Sequence, residues 1–400
     1  MTKKEHLNGL ELLRYLLGMY IVLYHTFHYQ GVPEWCRRLV EMGFAATSSF
    51  FILSGFILSY VYLSGNGTEE VKLKEKKRSF LWKRFANLYP IHIFSLLFTL
   101  LVVYSMSQLV IDPKDASASI RYVMYDSNNY TPVEKLNHYM SNAEMGLAFV
   151  MNGFLLHSWN PYYLTFNAPA WSISTLFFMY LAFPFVAPYL SKLKKPVAGL
   201  FVMNAIYLAL PVIFIVNGLF DMPYTGILNR NPLARLPEFL SGVILCATYF
   251  SLKKRNIRIN TMKARLLMGI TALVLFGLGN ILLHNPDWIT PNGNAPYYLL
   301  HNGLLLIPEC LVILIFASLK INKSKILSLL GGASLPLFAL HIPIYHIFTR
   351  TELYFLGEYK LYLYPLFLVL VTILCVLFQE KMVIPTRKKI LRTVLKKEDK

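Results

Sequence analysis

The sequence predicts an all-α, polytopic membrane helix bundle of about ten transmembrane helices, and three observations predict it. The first is composition. Of the 400 residues 56% are apolar and only 15% charged, with a mean hydropathy of +0.47, whereas a soluble chain of this length carries more charge and divides into two or three domains. The second is spacing, because the apolar residues fall in repeated blocks of about 20, the length that crosses a hydrocarbon core. The third is the placement of the basic residues, which gather on one side of those blocks.

In chain order the spans read as 10–29, 43–63, 86–109, 169–190, 197–217, 234–250, 266–284, 298–319, 328–348 and 361–379. The first block is not a cleavable signal peptide, since it holds Glu11 and Arg14 and no small-residue cleavage site follows it. Segment 64–84 is a charged connection on the inner side, so its Asn66-Gly67-Thr68 sequon is discounted. The one long outer connection, roughly 110–168, mixes polar stretches such as Asp126–Tyr130 with an amphipathic run, Met145–Trp159. A loop of that size is more often functional than idle, and this one is expected to cap the bundle. Residues 1–380 thus form one membrane domain, and 381–400 read as a solvated basic tail.

A net charge of +18 raises the question of a nucleic-acid partner, and its distribution answers it. With the N-terminus inside, 29 of the 39 basic residues fall on that same side and eight on the other, leaving only Arg14 and Arg235 in or at the edge of a span. This is the asymmetry that orients membrane proteins. It predicts both termini in the cytoplasm, a plasma-membrane or inner-membrane location and contact with anionic lipid headgroups, and no nucleic acid. Cys36, Cys246, Cys310 and Cys375 are scattered without metal-ligand spacing, so neither a zinc site nor a disulfide framework is indicated.

Ionisable residues inside spans are costly and therefore candidates for function. The first helix has three. Arg14 and His25 are 11 residues apart, about three turns, on one face and about 16 Å apart along the axis. Glu11, one turn before Arg14, is placed to pair with it. Arg235 and Glu238 are also one turn apart and can neutralise each other, and Glu309 follows Pro308 near the middle of its span. The plainer alternatives are a structural Glu11–Arg14 pair, a His25 bonded to a neighbouring helix, and a transporter using the same buried groups.

Asn8-Gly-Leu-Glu11-Leu-Leu-Arg14, followed after ten residues by His25, resembles the opening signature of the acyltransferase 3 family of integral membrane proteins. The likeness continues through Phe50–Phe56, Lys83–Pro90, Leu155–Trp159, Asn167–Ser174, Arg235–Gly242 and Ser334–Pro343, in the family's order. What the resemblance implies is an O-acyltransferase that moves an acetyl or similar group to a carbohydrate of the cell envelope. It further implies an acyl-coenzyme A donor with no bound cofactor, and a general base to take the hydroxyl proton, for which His25 is the natural choice. Arg14 and Arg84 would engage the donor's phosphates from the cytoplasmic end. Trp171 and Ser172 are candidates for an acceptor wall or an oxyanion contact, and His341 for support of the catalytic base. Two positions depart from the family pattern. Asn87 stands where a second arginine is frequent, and Leu176 where a glutamate is common. A required acid would then come from elsewhere, first from Glu309 and second from Glu238.

Overall fold

The computed structural model describes residues 7–27, 32–65, 70–109, 119–128, 131–290, 293–358 and 360–395. The sequon at Asn66, the residues Asn129 and Tyr130 of the outer polar stretch, and the basic residues Lys3, Lys4, Lys114, Lys396, Lys397 and Lys400 lie outside them.

The chain opens with α1 (Asn8–Thr26), α2 (Glu34–Val40), α3 (Gly43–Tyr62) and α4 (Lys77–Leu109). After them come α5 (Asn142–Gly153), α6 (Trp171–Leu190), α7 (Pro196–Val216), α8 (Tyr224–Arg230) and α9 (Pro232–Lys254). The last group is α10 (Met262–Leu283), α11 (Ala295–Leu299), α12 (Leu306–Ser318), α13 (Lys325–Leu356), α14 (Tyr364–Phe378) and α15 (Ile384–Leu395). Among the described residues nine helical segments are long and apolar enough to cross a membrane. Helix α1 is less apolar because Glu11, Arg14 and His25 interrupt it. Its 19 residues still span about 28 Å, and it lies against α3, α12 and α13. With α1 included, the ten spans read from the sequence each have their helix.

The helices sort into an inner and an outer set. Most of the α3 region is buried, 83% of its most apolar window, against 17% for α7 and 11% for α10. That contrast marks α3 as central and leaves the apolar faces of α7 and α10 to meet lipid. The tightest inner seam joins α3 to α9. A Cβ on Gly55 would sit 2.0 Å from the Phe239 carbonyl oxygen, and one on Gly242 would sit 1.8 Å from that of Ile52. The two backbones are thus in direct contact, as small residues permit between membrane helices. This is the physical content of the glycines in the Phe50–Phe56 and Arg235–Gly242 motifs.

Alternation of the spans puts the basic connections at one end of the bundle, the basic end, and segment 119–168 at the other, the loop end. At the loop end β3 (Tyr122–Met124) pairs antiparallel with β4 (Asn137–Tyr139), as at the basic end β1 (Leu63–Ser64) pairs with β2 (Lys72–Leu73). Ser141 and Glu144 form a reciprocal cap that starts α5. Hydrogen bonds from the Ser141 backbone and hydroxyl, and then from His138, hold the Glu144 carboxyl down at about 2. Asp126 N–H donates to the Tyr162 carbonyl (2.8 Å) and Asn128 N–H to that of Phe220 (2.8 Å). The Asn128 side chain donates to the Asn294 carbonyl (2.9 Å). Segment 119–128 is in this way laid across the helix ends.

Residues 381–395 of the basic tail are helical. Helix α14 runs through a wider turn (Gln379–Val383) into α15, which packs on α4. Ile384, Leu391, Val394 and Leu395 recur at helical spacing between basic residues, so α15 is amphipathic.

Candidate active site

Three of the sequence-predicted residues meet at the loop end. His25 from the last turn of α1, Trp171 from the first turn of α6 and Arg235 from α9 line one pocket of about 150 Å³. Sharing it are Tyr24, Thr47, Asp126, Asn229, Arg230, Tyr297 and His301.

A hydrogen-bond chain sets the tautomer of His25. The Nδ1 of His341, on α13, lies 2.7 Å from the Leu337 carbonyl oxygen. A carbonyl only accepts, so His341 Nδ1 carries the proton and His341 Nε2 is an acceptor. His25 Nδ1 lies 3.0 Å from that Nε2 and 3.1 Å from the Ile21 carbonyl oxygen. Both neighbours accept, so His25 Nδ1 is protonated and His25 Nε2 is the basic nitrogen of the ring. The two imidazoles are also stacked, with centroids 5.0 Å apart. His341 is fully buried behind His25 and orients it in the way a second group orients a catalytic histidine.

Beneath the pocket lies a buried polar network. Arg235 pairs with Glu238 at 3.0 Å and donates to the His301 carbonyl (2.7 Å) and the Ser48 hydroxyl (2.9 Å). The Tyr207 hydroxyl reaches Glu238 Oε1 at 2.6 Å and the same His301 carbonyl at 3.0 Å. That carbonyl is available because the helix breaks here. Asn302 leaves helical geometry and Gly303 takes φ 122°, a value that favours glycine. The sequence-predicted neutralisation of Arg235 by Glu238 is thus present, with further partners. Glu309 is buried and interacts electrostatically with Glu238 and Arg235, but it does not line the pocket.

Glu11, Arg14 and Arg84 sit at the basic end. Arg14 Nη1 is 3.3 Å from Glu11 Oε2, and both side chains are about a quarter exposed (27% and 25%). Arg84 donates to the Tyr62 hydroxyl (2.5 Å) and lies over the Tyr62 ring at 4.9 Å. It is 5.9 Å from the Tyr180 ring, whose phenol feels the charges of both Arg84 and Arg14. The two arginines therefore flank one tyrosine, and neither lines the pocket that holds His25.

The remaining motif residues have structural partners. The Ser172 hydroxyl donates to the Pro169 carbonyl (2.9 Å), and Ser172 is not among the pocket-lining residues. Ser158 and Ser174 hydroxyls are bonded at 2.7 Å, and Asn167 donates to the Ala339 carbonyl (2.8 Å). These contacts fasten segment 157–170 to α6 and α13. His157 stacks on His92 with centroids 5.0 Å apart. Burial, and next the neighbouring His92, push the His157 imidazole down to about 3, so it is neutral.

Among known proteins, the family model described as an acyltransferase domain matches residues 7–380. The O-acetyltransferase OatA of Staphylococcus aureus (strain NCTC 8325 / PS 47) is 25% identical over 400 residues, covering 97% of this chain and 58% of the relative. The acyltransferase MdmB of Streptomyces mycarofaciens is 26% identical over 172 residues, 42% of this chain and 35% of the relative. The chain therefore spans little more than half the length of the S. aureus relative. No solved structure matches.

Proposed function

Since this chain belongs to the acyltransferase-domain family that its residues 7–380 match, we propose that it is a membrane O-acyltransferase. It moves an acetyl or similar acyl group from an acyl-coenzyme A donor to a hydroxyl of a cell-envelope or exported carbohydrate. The observation that carries the reading is the His25 tautomer, with Nε2 as the basic ring nitrogen in a polar, aromatic-lined pocket. The acceptor hydroxyl gives its proton to His25 Nε2 while its oxygen attacks the thioester carbonyl. The new C–O bond forms and the C–S bond breaks. The proton passes from His25 to the departing thiolate, so the products are an ester and free thiol. Arg235 and the Trp171 indole stand at the pocket wall, where the oxyanion of the tetrahedral intermediate needs donors. Arg14 and Arg84 hold the donor's phosphates at the basic end, and the pantetheine reaches inward toward His25. Mass analysis of envelope glycans from cells with and without the protein tests the reading. Loss of an ester-linked acyl group in its absence is expected, and a glycan that is exported but chemically unchanged would instead favour a transporter.

The reading requires a plasma-membrane protein with both termini in the cytoplasm and the Asp126 segment outside. Reporter fusions at Asp126 and in the C-terminal tail are expected to report from opposite sides. A tail reporting from outside would invert the donor and acceptor ends.

Glu309 is the acid proposed to support the transferring network through Glu238 and Arg235. Glu309→Gln keeps its shape and removes its ionisable carboxyl, so a loss of transfer is expected with folded protein retained. Full activity of purified Glu309→Gln would leave Glu309 a packing residue.

A further inference from the structure

We propose that Arg230 and Asn229 form a hydroxyl-reading edge of the loop-end pocket, one that selects a neutral sugar acceptor over a carboxylate-bearing one. The proposal rests on the acyl-acceptor reading of that pocket and deepens it.

Among the described residues, two buried polar atoms of this pocket besides Arg235 Nε have no hydrogen-bond partner, Arg230 Nη2 and Asn229 Oδ1. They belong to adjacent residues at the end of α8. Arg230 is only 2% exposed, and the rest of its guanidinium is committed. Nη1 is paired with Asp126, and Nε donates to the Asn160 carbonyl (2.8 Å). The Asn229 amide nitrogen donates to the Tyr297 hydroxyl (3.1 Å). Leaving a buried donor or acceptor unmet is costly, and both residues line the pocket that holds His25. A ligand group that satisfies the two atoms is thus favoured there.

One orphan atom donates and the other accepts. A hydroxyl does both, so it can meet Arg230 Nη2 with a lone pair and Asn229 Oδ1 with its proton. A carboxylate offers acceptors only. It would leave Asn229 Oδ1 facing another oxygen, and it would meet Asp126, which already neutralises Arg230. The local field therefore does not favour an anion. Trp171, Tyr24 and Tyr297 supply apolar walls for the C–H faces of a sugar ring. The volume, about 150 Å³, is below the roughly 300–1,000 Å³ of drug-sized pockets and suits a single ring. With one hydroxyl at Arg230 and Asn229, a second hydroxyl of that ring is presented to His25 for acylation. Arg230 and Asn229 are positioning residues in this scheme.

The test uses the full chain purified in detergent, with labelled acetyl-coenzyme A as donor and methyl β-D-glucopyranoside or methyl β-D-glucuronide as acceptor. Ester formation on the neutral glycoside, with at least tenfold lower kcat/KM for the glucuronide, is expected. Arg230→Lys and Asn229→Ala should each raise KM for the neutral glycoside about tenfold, the loss of one buried hydrogen bond. Their kcat should fall less than KM rises, and acetyl-coenzyme A should bind them as it binds the parent. Equal use of the glucuronide, an unmoved KM in both variants, or donor binding lost together with acceptor KM would each overturn the proposal. If the parent turned over no acetyl-coenzyme A at all, the donor reading would fall instead. Saturation-transfer NMR of the neutral glycoside then decides the subsite without turnover: equal saturation in the parent and Asn229→Ala overturns it, and loss in Asn229→Ala supports it.

Discussion

His25→Ala is expected to lower acyl transfer by about 100- to 10,000-fold, the range for removing a general base, while acetyl-coenzyme A binding stays within a few-fold of the parent. The expectation is tied to one nitrogen. His341 receives its own proton assignment from the Leu337 carbonyl, passes an acceptor to His25 Nδ1 and so makes His25 Nε2 the base. The same hydrogen bonds set a graded result for His341. His341→Gln can still present an oxygen to His25 Nδ1–H, whereas His341→Leu presents nothing and leaves the ring unoriented. Transfer should therefore fall in the order parent, His341→Gln, His341→Leu, His25→Ala. Single-turnover transfer from labelled acetyl-coenzyme A measures it, with donor binding followed separately. Turnover retained in His25→Ala would remove the base from this residue, and a His341→Leu variant as active as the parent would remove the orienting role.

Much of the bundle was legible because a membrane constrains a sequence so strongly. Every span must be apolar for about 20 residues, and a one-sided basic distribution orders the ends. Of the site, His25, Trp171 and Arg235 were legible from the cost of burying charge and from motif order. Their pocket partners were harder to find, each for a separate physical reason. Asp126 lies in a polar loop whose path over the helix ends is set by backbone bonds to Tyr162 and Phe220, and no local pattern encodes such bonds. Arg230 counts as a loop cation by position, yet its guanidinium is 2% exposed because Asp126 and Asn160 meet it. His301 was legible by the rule that raised Glu309, being ionisable inside the span 298–319, and its neighbour Gly303 is the signal of the break that presents its carbonyl. The two departures from the family pattern also find their surroundings. Leu176 is 1% exposed in the apolar core, a place with no room for an unpaired carboxylate. Asn87 accepts from Arg387 Nη1 at 3.3 Å, so a guanidinium does stand beside that position, supplied by α15 from 300 residues away.

Arg14→Ala should weaken acetyl-coenzyme A binding by about 10- to 100-fold, because a hydrogen bond to a charged group contributes roughly 1.5–3 kcal/mol and each 1.4 kcal/mol is about tenfold in affinity. Arg14→Lys should recover only part of that loss, since a lysine keeps the charge without the forked donor pair that matches a phosphate. The geometry demands a separation of tasks. Eleven residues of straight helix put Arg14 and His25 about 16 Å apart, too far to serve one small reacting centre but suited to the two ends of an extended donor. Arg14 is only half-committed to Glu11, at 3.3 Å and partly exposed, and its charge reaches Tyr180 together with that of Arg84. A phosphate entering between the two arginines would therefore meet two guanidiniums on one side of the bundle, before any acyl group reached His25. Arg84→Ala should then show the same pattern as Arg14→Ala, with affinity lost before rate. The double variant should bind donor no more weakly than the product of the two single effects, unless one phosphate bridges both arginines. Equilibrium binding to detergent-purified variants, with kcat measured at saturating donor, separates these outcomes. If Arg14→Ala bound donor normally and lost only kcat, Arg14 would belong to the chemical step or to the folding of α1, and the two-ended arrangement would be wrong.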